Sequence, residues 1–252
     1  MTDQVVVVMP AYNAARTLET TYQDLPHELI REIILVDDGS QDGTIEIARR
    51  LGLTVFVHDR NYGYGANQKT CYLEALKTPA RVIVMVHPDY QYDPKLLPQI
   101  IQPILEGRAD IVLGSRMIGV SALRQGMPWW KYSSNRALTA AENVVFKLRL
   151  SEYHTGYRAY SRDLLESVNF QANSDGFIFD QELIAQAVAC RMRFAEVPCS
   201  ARYFPEASTA SFADSLEYGI QILVLLVRYL LDRTNILPSP MFASLKSRYR
   251  QA

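Results

Sequence analysis

Only three cysteines, Cys71, Cys190 and Cys199, occur in 252 residues. They are odd in number and far apart, so neither a disulfide framework nor a CxxC metal spacing is present. A reducing compartment suits such a chain. Excess charge is lacking too: the formal net charge is −1, without the basic field of a nucleic-acid binder. No GxxxxGK[ST] loop exists, which removes P-loop chemistry. "NYGYGAN", residues 61–67, carries Gly63 and Gly65 but no third glycine where a GxGxxG fingerprint needs one. Only four residues precede the first β-rich run at Val5, too few for a signal peptide, so a cytoplasmic location is expected. A run of ~20 apolar residues, the span of a membrane helix, is missing as well.

What is present is a rhythm. The composition, 48% hydrophobic and 21% charged, supports a full-sized buried core. β-rich apolar runs occur at Val5–Met9, Ile33–Val36, Val55–Val57, Val82–Val86 and Ile111–Leu113. Helical spacing fills the gaps at Ala15–Leu25, Thr44–Leu51, Gly65–Leu76 and Lys95–Glu106. Strands without alternation, separated by helices, predict an α/β fold: a Rossmann-like, mostly parallel sheet with helices on both faces. Ligands in such sheets bind outside the carboxyl ends of the strands. Those ends read "MPAYNA", "VDDGSQDGT", "HDRNYGYGANQ", "HPDYQYDP" and "GSR". Five polar or Gly-rich ends in register outline a nucleotide-sized cleft. Farther on, helices are expected near Ser133–Leu148 and within 175–188, with "YHTGYRAY" (153–160) as an interruption between them and a strand-like segment in "EVPCSARYF" (196–204).

The motifs carry chemistry of two kinds. Asp37 and Asp38 end the second strand, where a carboxylate can accept from a base N–H or a ribose hydroxyl; the plainer alternative is a turn held by Asx hydrogen bonds. Asp42 reads as a helix N-cap. After the fourth strand come His87, Asp89 and Gln91. Oxygen ligands of this type suit Mg²⁺ or Mn²⁺ completed by substrate phosphates, and Mn²⁺ accepts a histidine nitrogen more readily. Asp93-Pro94 is the cap and first turn of the next helix.

In its order of motifs, "PAYNA", "VDDGSQDGT", "NYGYGAN", "HPDYQYDP", "GSR", "HTGYRAY", "FDQEL" and "VPCSARYF", the chain resembles a family-2 inverting glycosyltransferase of the GT-A fold. The branch it is most similar to is the polyprenyl-phosphate (dolichol-phosphate) sugar synthases. The family's Asp-x-Asp is here His87-Pro88-Asp89, with the first acid replaced. The resemblance implies a nucleotide-diphosphate sugar (a UDP-sugar or GDP-sugar) as co-substrate and a divalent cation, Mg²⁺ or Mn²⁺. Pro10, Ala11 and Tyr12 would pack around the base, and Asp38 would bond it with Asp37 in support. Asp89, Gln91 and His87 would form the metal site. Arg116 and Arg202 would contact phosphates through guanidinium forks, and so would Arg158 unless it is a surface arginine after a turn. Asp180, in "FDQEL", would act near the acceptor, with Glu182 in the same turn; helix-dipole stabilisation is the alternative for both. His154 would orient donor or acceptor, or serve structure alone.

A polyprenyl phosphate is the expected acceptor, at the cytoplasmic face of a membrane. Transfer to a glycan or other hydroxyl, and a catalytically silent nucleotide-sugar binder, are the rival readings. Residues 1–212 are expected to form the GT-A domain and residues 213–252 an apolar helix with a basic tail. Leu216–Leu231 is about 16 residues long and includes Glu217, Gln221 and Arg228, too short and too charged to span a bilayer. It suits a peripheral membrane interface, the seam of a homo-oligomer, or a buried helix closing the domain. The basic residues Arg233, Lys246, Arg248 and Arg250 would favour anionic lipid.

Overall fold

In a computed structural model describing residues 4–119, 122–202 and 212–248, the runs form one seven-stranded sheet of order β3-β2-β1-β4-β6-β5-β7. The strands are β1 (Val5–Ala11), β2 (Glu32–Asp37), β3 (Thr54–Val57), β4 (Val82–Met85), β5 (Ile111–Ser115), β6 (Arg158–Ser161) and β7 (Phe194–Pro198). Helices α1 (Leu18–Gln23), α2 (Thr44–Arg50), α3 (Tyr64–Lys77), α4 (Leu97–Leu105), α5 (Trp129–Phe146), α6 (Arg162–Ser167), α7 (Phe179–Ala189) and α8 (Phe212–Arg233) complete the order. β1 runs parallel to both β2 and β4. Both faces are covered, which explains why the strands lack alternation. Val6, Val8, Ile83 and Met85 join one core cluster, which includes Leu183 and Ile184 of α7. Val5, Val7, Met9 and Val84 join the other, with Leu97 and Ile100 of α4.

Three differences from expectation matter for the site. The segment read as an interruption contains β6, which lies antiparallel between β4 and β5. Its first residue is a buried arginine, so no apolar run marks it. α5 begins at Trp129, earlier than the expected Ser133, which brings Trp130 and Lys131 onto a helix. α8 is longer than the apolar run and two-faced. Ile222, Leu225, Leu226 and Tyr229 are buried in the first core cluster, while Leu216, Ile220, Leu223 and Val227 are 58%, 55%, 50% and 55% exposed. No helix among the described residues is long and apolar enough to cross a membrane. Tyr203 to Ser211 and Arg250 lie outside the described residues.

Candidate functional site

A cavity of about 750 Å³ opens at the carboxyl ends of β1 and β4, within the size range of small-molecule sites. Its walls come from the 10–14 and 61–67 segments, from His87 to Tyr92, and from α5, the 154–158 segment, α7 and α8. Expected residues Pro10, Ala11, Tyr12, Asp38, His87, Asp89, Gln91, Arg116, His154, Arg158 and Asp180 all border it. Asp37 and Arg202 do not.

On the side of β1 and β2, Asp37 is fully buried and its Oδ1 accepts from Ser40 N at 2.8 Å. It shapes the turn from below the cavity. Asp38 holds the following loop: Oδ1 accepts from His58 Nδ1 at 2.7 Å and Tyr62 N at 3.0 Å, and Oδ2 from Gly63 N at 2.9 Å. Each carboxylate oxygen has two lone pairs, so Oδ2 keeps one for a further donor. The glycines of "NYGYGAN" serve a protein contact. Gly65 N donates to Asp175 O at 2.7 Å, and any side chain at Gly65 would strike Ser174 O.

After β4 the chain turns sharply, with Tyr90 at φ 57°. Asp89 Oδ1 accepts from Gln91 N at 2.9 Å, and Asp93 caps the 3₁₀ turn Pro94–Leu96. The His87 ring stacks on Tyr64, centroids 5.6 Å apart, with Nε2 at 3.3 Å from the Tyr64 hydroxyl. Gly156 closes on the other side: a Cβ there would lie 2.9 Å from His87 Cδ2. Burial lowers the His87 pKa against the raising effect of Asp89 and Asp180. Among the described residues no three His, Cys, Asp or Glu gather as a metal cluster. The donors at hand are Asp89, Gln91 and His87, all facing the cavity. One carboxylate with an amide and substrate phosphates fits Mg²⁺ or Mn²⁺, which hold few protein ligands.

The far wall is built from buried charge pairs, and it revises three expectations. Arg158, expected at a phosphate, opens β6 and is 2% exposed. Its Nη1 is 3.2 Å from Asp180 Oδ1, and Nε and Nη2 donate to the carbonyls of Thr155 and Tyr153. Although Arg158 borders the cavity, its guanidinium is held by the Asp180 carboxylate and two carbonyls. Arg116 does border the cavity, but its fork grips the buried Glu152, and Nη2 also donates to His154 O at 2.5 Å. Arg202 sits outside, its guanidinium 4.1 Å above the Tyr90 ring and 3.9 Å from Asp93 Oδ2.

Asp180, in the first turn of α7, is nearly enclosed. Besides Arg158, Gln68 Nε2 donates to its Oδ1 at 3.1 Å and the Tyr64 hydroxyl to its Oδ2 at 2.9 Å. Burial, and then the Asp180 charge, push the Tyr64 hydroxyl well above its usual pKa. Glu182 instead supports a loop, accepting from Ser174 N at 2.6 Å. His154 Nε2 lies 3.0 Å from the buried Glu142 of α5. Sequence reasoning assigned no role to Tyr64 and Gln68, although both lie in the quoted strand-end segment 58–68, nor to Glu142, Glu152 and Lys131, which no motif marks. Lys131 borders the cavity; burial, and then the Arg116 charge, hold its ammonium below its ordinary pKa. Lys131 thus adds a cation to that wall beside the Arg116–Glu152 pair.

Comparison with known proteins agrees with this architecture. A family model described as glycosyl transferase family 2 matches residues 6–168. A low-salt glycan biosynthesis hexosyltransferase of Haloferax volcanii is 32% identical over 227 residues, 86% of this chain and 52% of that protein. A polyprenol monophosphomannose synthase of Mycolicibacterium smegmatis is 27% identical over 205 residues, 78% of this chain and 77% of its own length. The solved structure of glucosyl-3-phosphoglycerate synthase from Mycobacterium tuberculosis, in complex with Mn²⁺, UDP and glucosyl-3-phosphoglycerate, has a TM-score of 0.62 at 21% identity, covering 94% of this chain and 82% of that one. That likeness carries the fold. With the family model spanning β1 through β6 and the strand-end motifs gathered around one cavity, the chain belongs to glycosyl transferase family 2.

Proposed function

We propose that the chain moves a hexosyl group, with inversion, from a nucleoside-diphosphate sugar to a polyprenyl phosphate at the cytoplasmic face of a membrane. The observation that carries this reading is the two-sidedness of α8. Asp214, Ser215 and Tyr218 line the cavity, and the exposed ridge Leu216, Ile220, Leu223 and Val227 begins beside them. A phosphate held inside the cavity would have its apolar chain beside that ridge. The polyprenol monophosphomannose synthase among the relatives supports the same acceptor class.

In this reading the nucleotide rests on Pro10, Ala11 and Tyr12, and its base donates to the open lone pair of Asp38 Oδ2. Asp89, Gln91 and His87 would hold the divalent cation seen in the distant structural neighbour. When bound, that ion offsets the charge growing on the departing diphosphate. Arg116 and Lys131 bring positive charge to the wall where the acceptor phosphate would lie. A phosphate is already anionic, so attack on the opposite face of the anomeric carbon needs no general base. Asp180 is then a fixed acceptor for a sugar hydroxyl, oriented by Tyr64, Gln68 and Arg158. Arg202 and Arg158 have no phosphate to touch in this scheme.

A turnover screen of donors against acceptors, with Mn²⁺ or Mg²⁺ and including short polyprenyl phosphates, tests the reading. Turnover confined to hydroxyl acceptors would replace it, and Asp180→Asn would then abolish activity. Donor binding without turnover on any acceptor would make the chain a silent binder.

Two further outcomes are expected. Asp38→Ala should weaken nucleotide binding by ~1.5–3 kcal/mol, the worth of a hydrogen bond to a charged group, with a smaller change in the saturated rate. Calorimetry with UDP and GDP checks this, and an unchanged affinity places the base elsewhere. For the membrane, Leu223→Glu together with Val227→Glu should reduce partition onto anionic vesicles by about 10–100-fold per residue, since burying such a side chain is worth ~1.5–3 kcal/mol. Both side chains are exposed, so the fold should survive. Transfer to a short soluble acceptor should persist. Equal sedimentation with vesicles for wild type and variant would assign the ridge to another partner, such as a second copy of the chain.

A further inference from the structure

We propose that His87 binds the cation through Nδ1, in a tautomer set by Tyr64 and Asp180. The proposal rests on the metal-dependent reading above and adds to it which atom binds and what orients it. The Tyr64 hydroxyl has one hydrogen and two neighbours. One is Asp180 Oδ2 at 2.9 Å, the other His87 Nε2 at 3.3 Å. The carboxylate can only accept, so it takes the hydrogen. Tyr64 Oη is left to accept from His87, which places a hydrogen on Nε2. A neutral imidazole with Nε2–H has a bare lone pair on Nδ1.

The packing around the ring agrees with this assignment. Gly156 abuts the Cδ2–Nε2 edge, and the Tyr64 ring covers one face. The Nδ1 edge is left toward the cavity that His87 and Asp89 both line. Among the described residues Nδ1 makes no hydrogen bond. Carboxylate, hydroxyl and imidazole thus form a chain of the kind that fixes metal-binding histidines, where loss of the outer partner costs ~10–100-fold in metal affinity. A nitrogen ligand also favours Mn²⁺ over Mg²⁺. Through Tyr64, the cation site and the Asp180 wall share one hydrogen-bond chain.

The test uses the whole chain carrying ¹⁵N-histidine, with Mn²⁺ and either UDP or GDP, read by pulsed electron paramagnetic resonance. A ¹⁵N coupling to Mn²⁺ that vanishes in His87→Gln is the expected result. Tyr64→Phe keeps the ring stack and removes only the hydroxyl; it should weaken Mn²⁺ binding to the nucleotide complex by ~10–100-fold and leave metal-free nucleotide affinity unchanged. Mn²⁺ bound beside the nucleotide without any ¹⁵N coupling overturns the proposal and leaves the metal-dependent reading standing. Unchanged Mn²⁺ affinity in Tyr64→Phe overturns the role of Tyr64 and Asp180. Failure of Mn²⁺ to bind with either nucleotide overturns both readings together.

Discussion

Replacing Asp89 by alanine should lower the transfer rate by about 10²–10³, the cost of losing a main stabiliser of developing charge. The expectation follows from its place in the chain. β4 is buried on both faces and ends at Met85, and the segment that follows carries Asp89 to the cavity. Among the described residues Asp89 accepts one hydrogen bond, from Gln91 N in the turn, so its removal should leave the fold intact. Excess chelator should reproduce the loss in the wild-type protein, and Mn²⁺ should restore activity there but not in Asp89→Ala. Full activity in the variant, or in chelator, would remove the cation from the scheme.

The second large effect is on stability. Arg158→Met should cost about 3–5 kcal/mol, since it strands the Asp180 carboxylate in a buried site without its counter-ion. The double variant Arg158→Met with Asp180→Leu should recover much of that loss, because replacing a buried pair by apolar groups is often neutral. Urea unfolding of the wild type, both single variants and the double variant gives the coupling directly. A loss under 1 kcal/mol in Arg158→Met would mean that water reaches Asp180. Stability and activity should part company in the double variant: it folds, but it lacks the fixed acceptor proposed for the donor sugar.

The strands β1 to β5, the helices between them and the cavity-lining ends of β1, β2 and β4 were legible in the chain itself. Buried parallel strands need uninterrupted apolar runs, and the backbone fixes which end of each run points at the ligand. Asp38, directly after β2, and Asp89 and Gln91, a short way beyond β4, could be placed for that reason: a segment leaving the carboxyl end of a parallel strand has little freedom of address. The roles of the charged residues farther along were decided only by tertiary contact. Arg116 meets Glu152, 36 residues away, and the Tyr64 hydroxyl meets Asp180, 116 residues away. A guanidinium in a sequence carries no mark of whether it will face a phosphate or a buried carboxylate, since both satisfy the same fork. β6 escaped notice for the same reason, because a buried Arg158 breaks the apolar pattern that announces a strand and is tolerated only where Asp180 and two carbonyls await it. The two faces of α8 were likewise beyond reach: leucine, isoleucine and valine occur on both, and only packing against Phe146, Met241 and Phe242 separates the buried face from the exposed one.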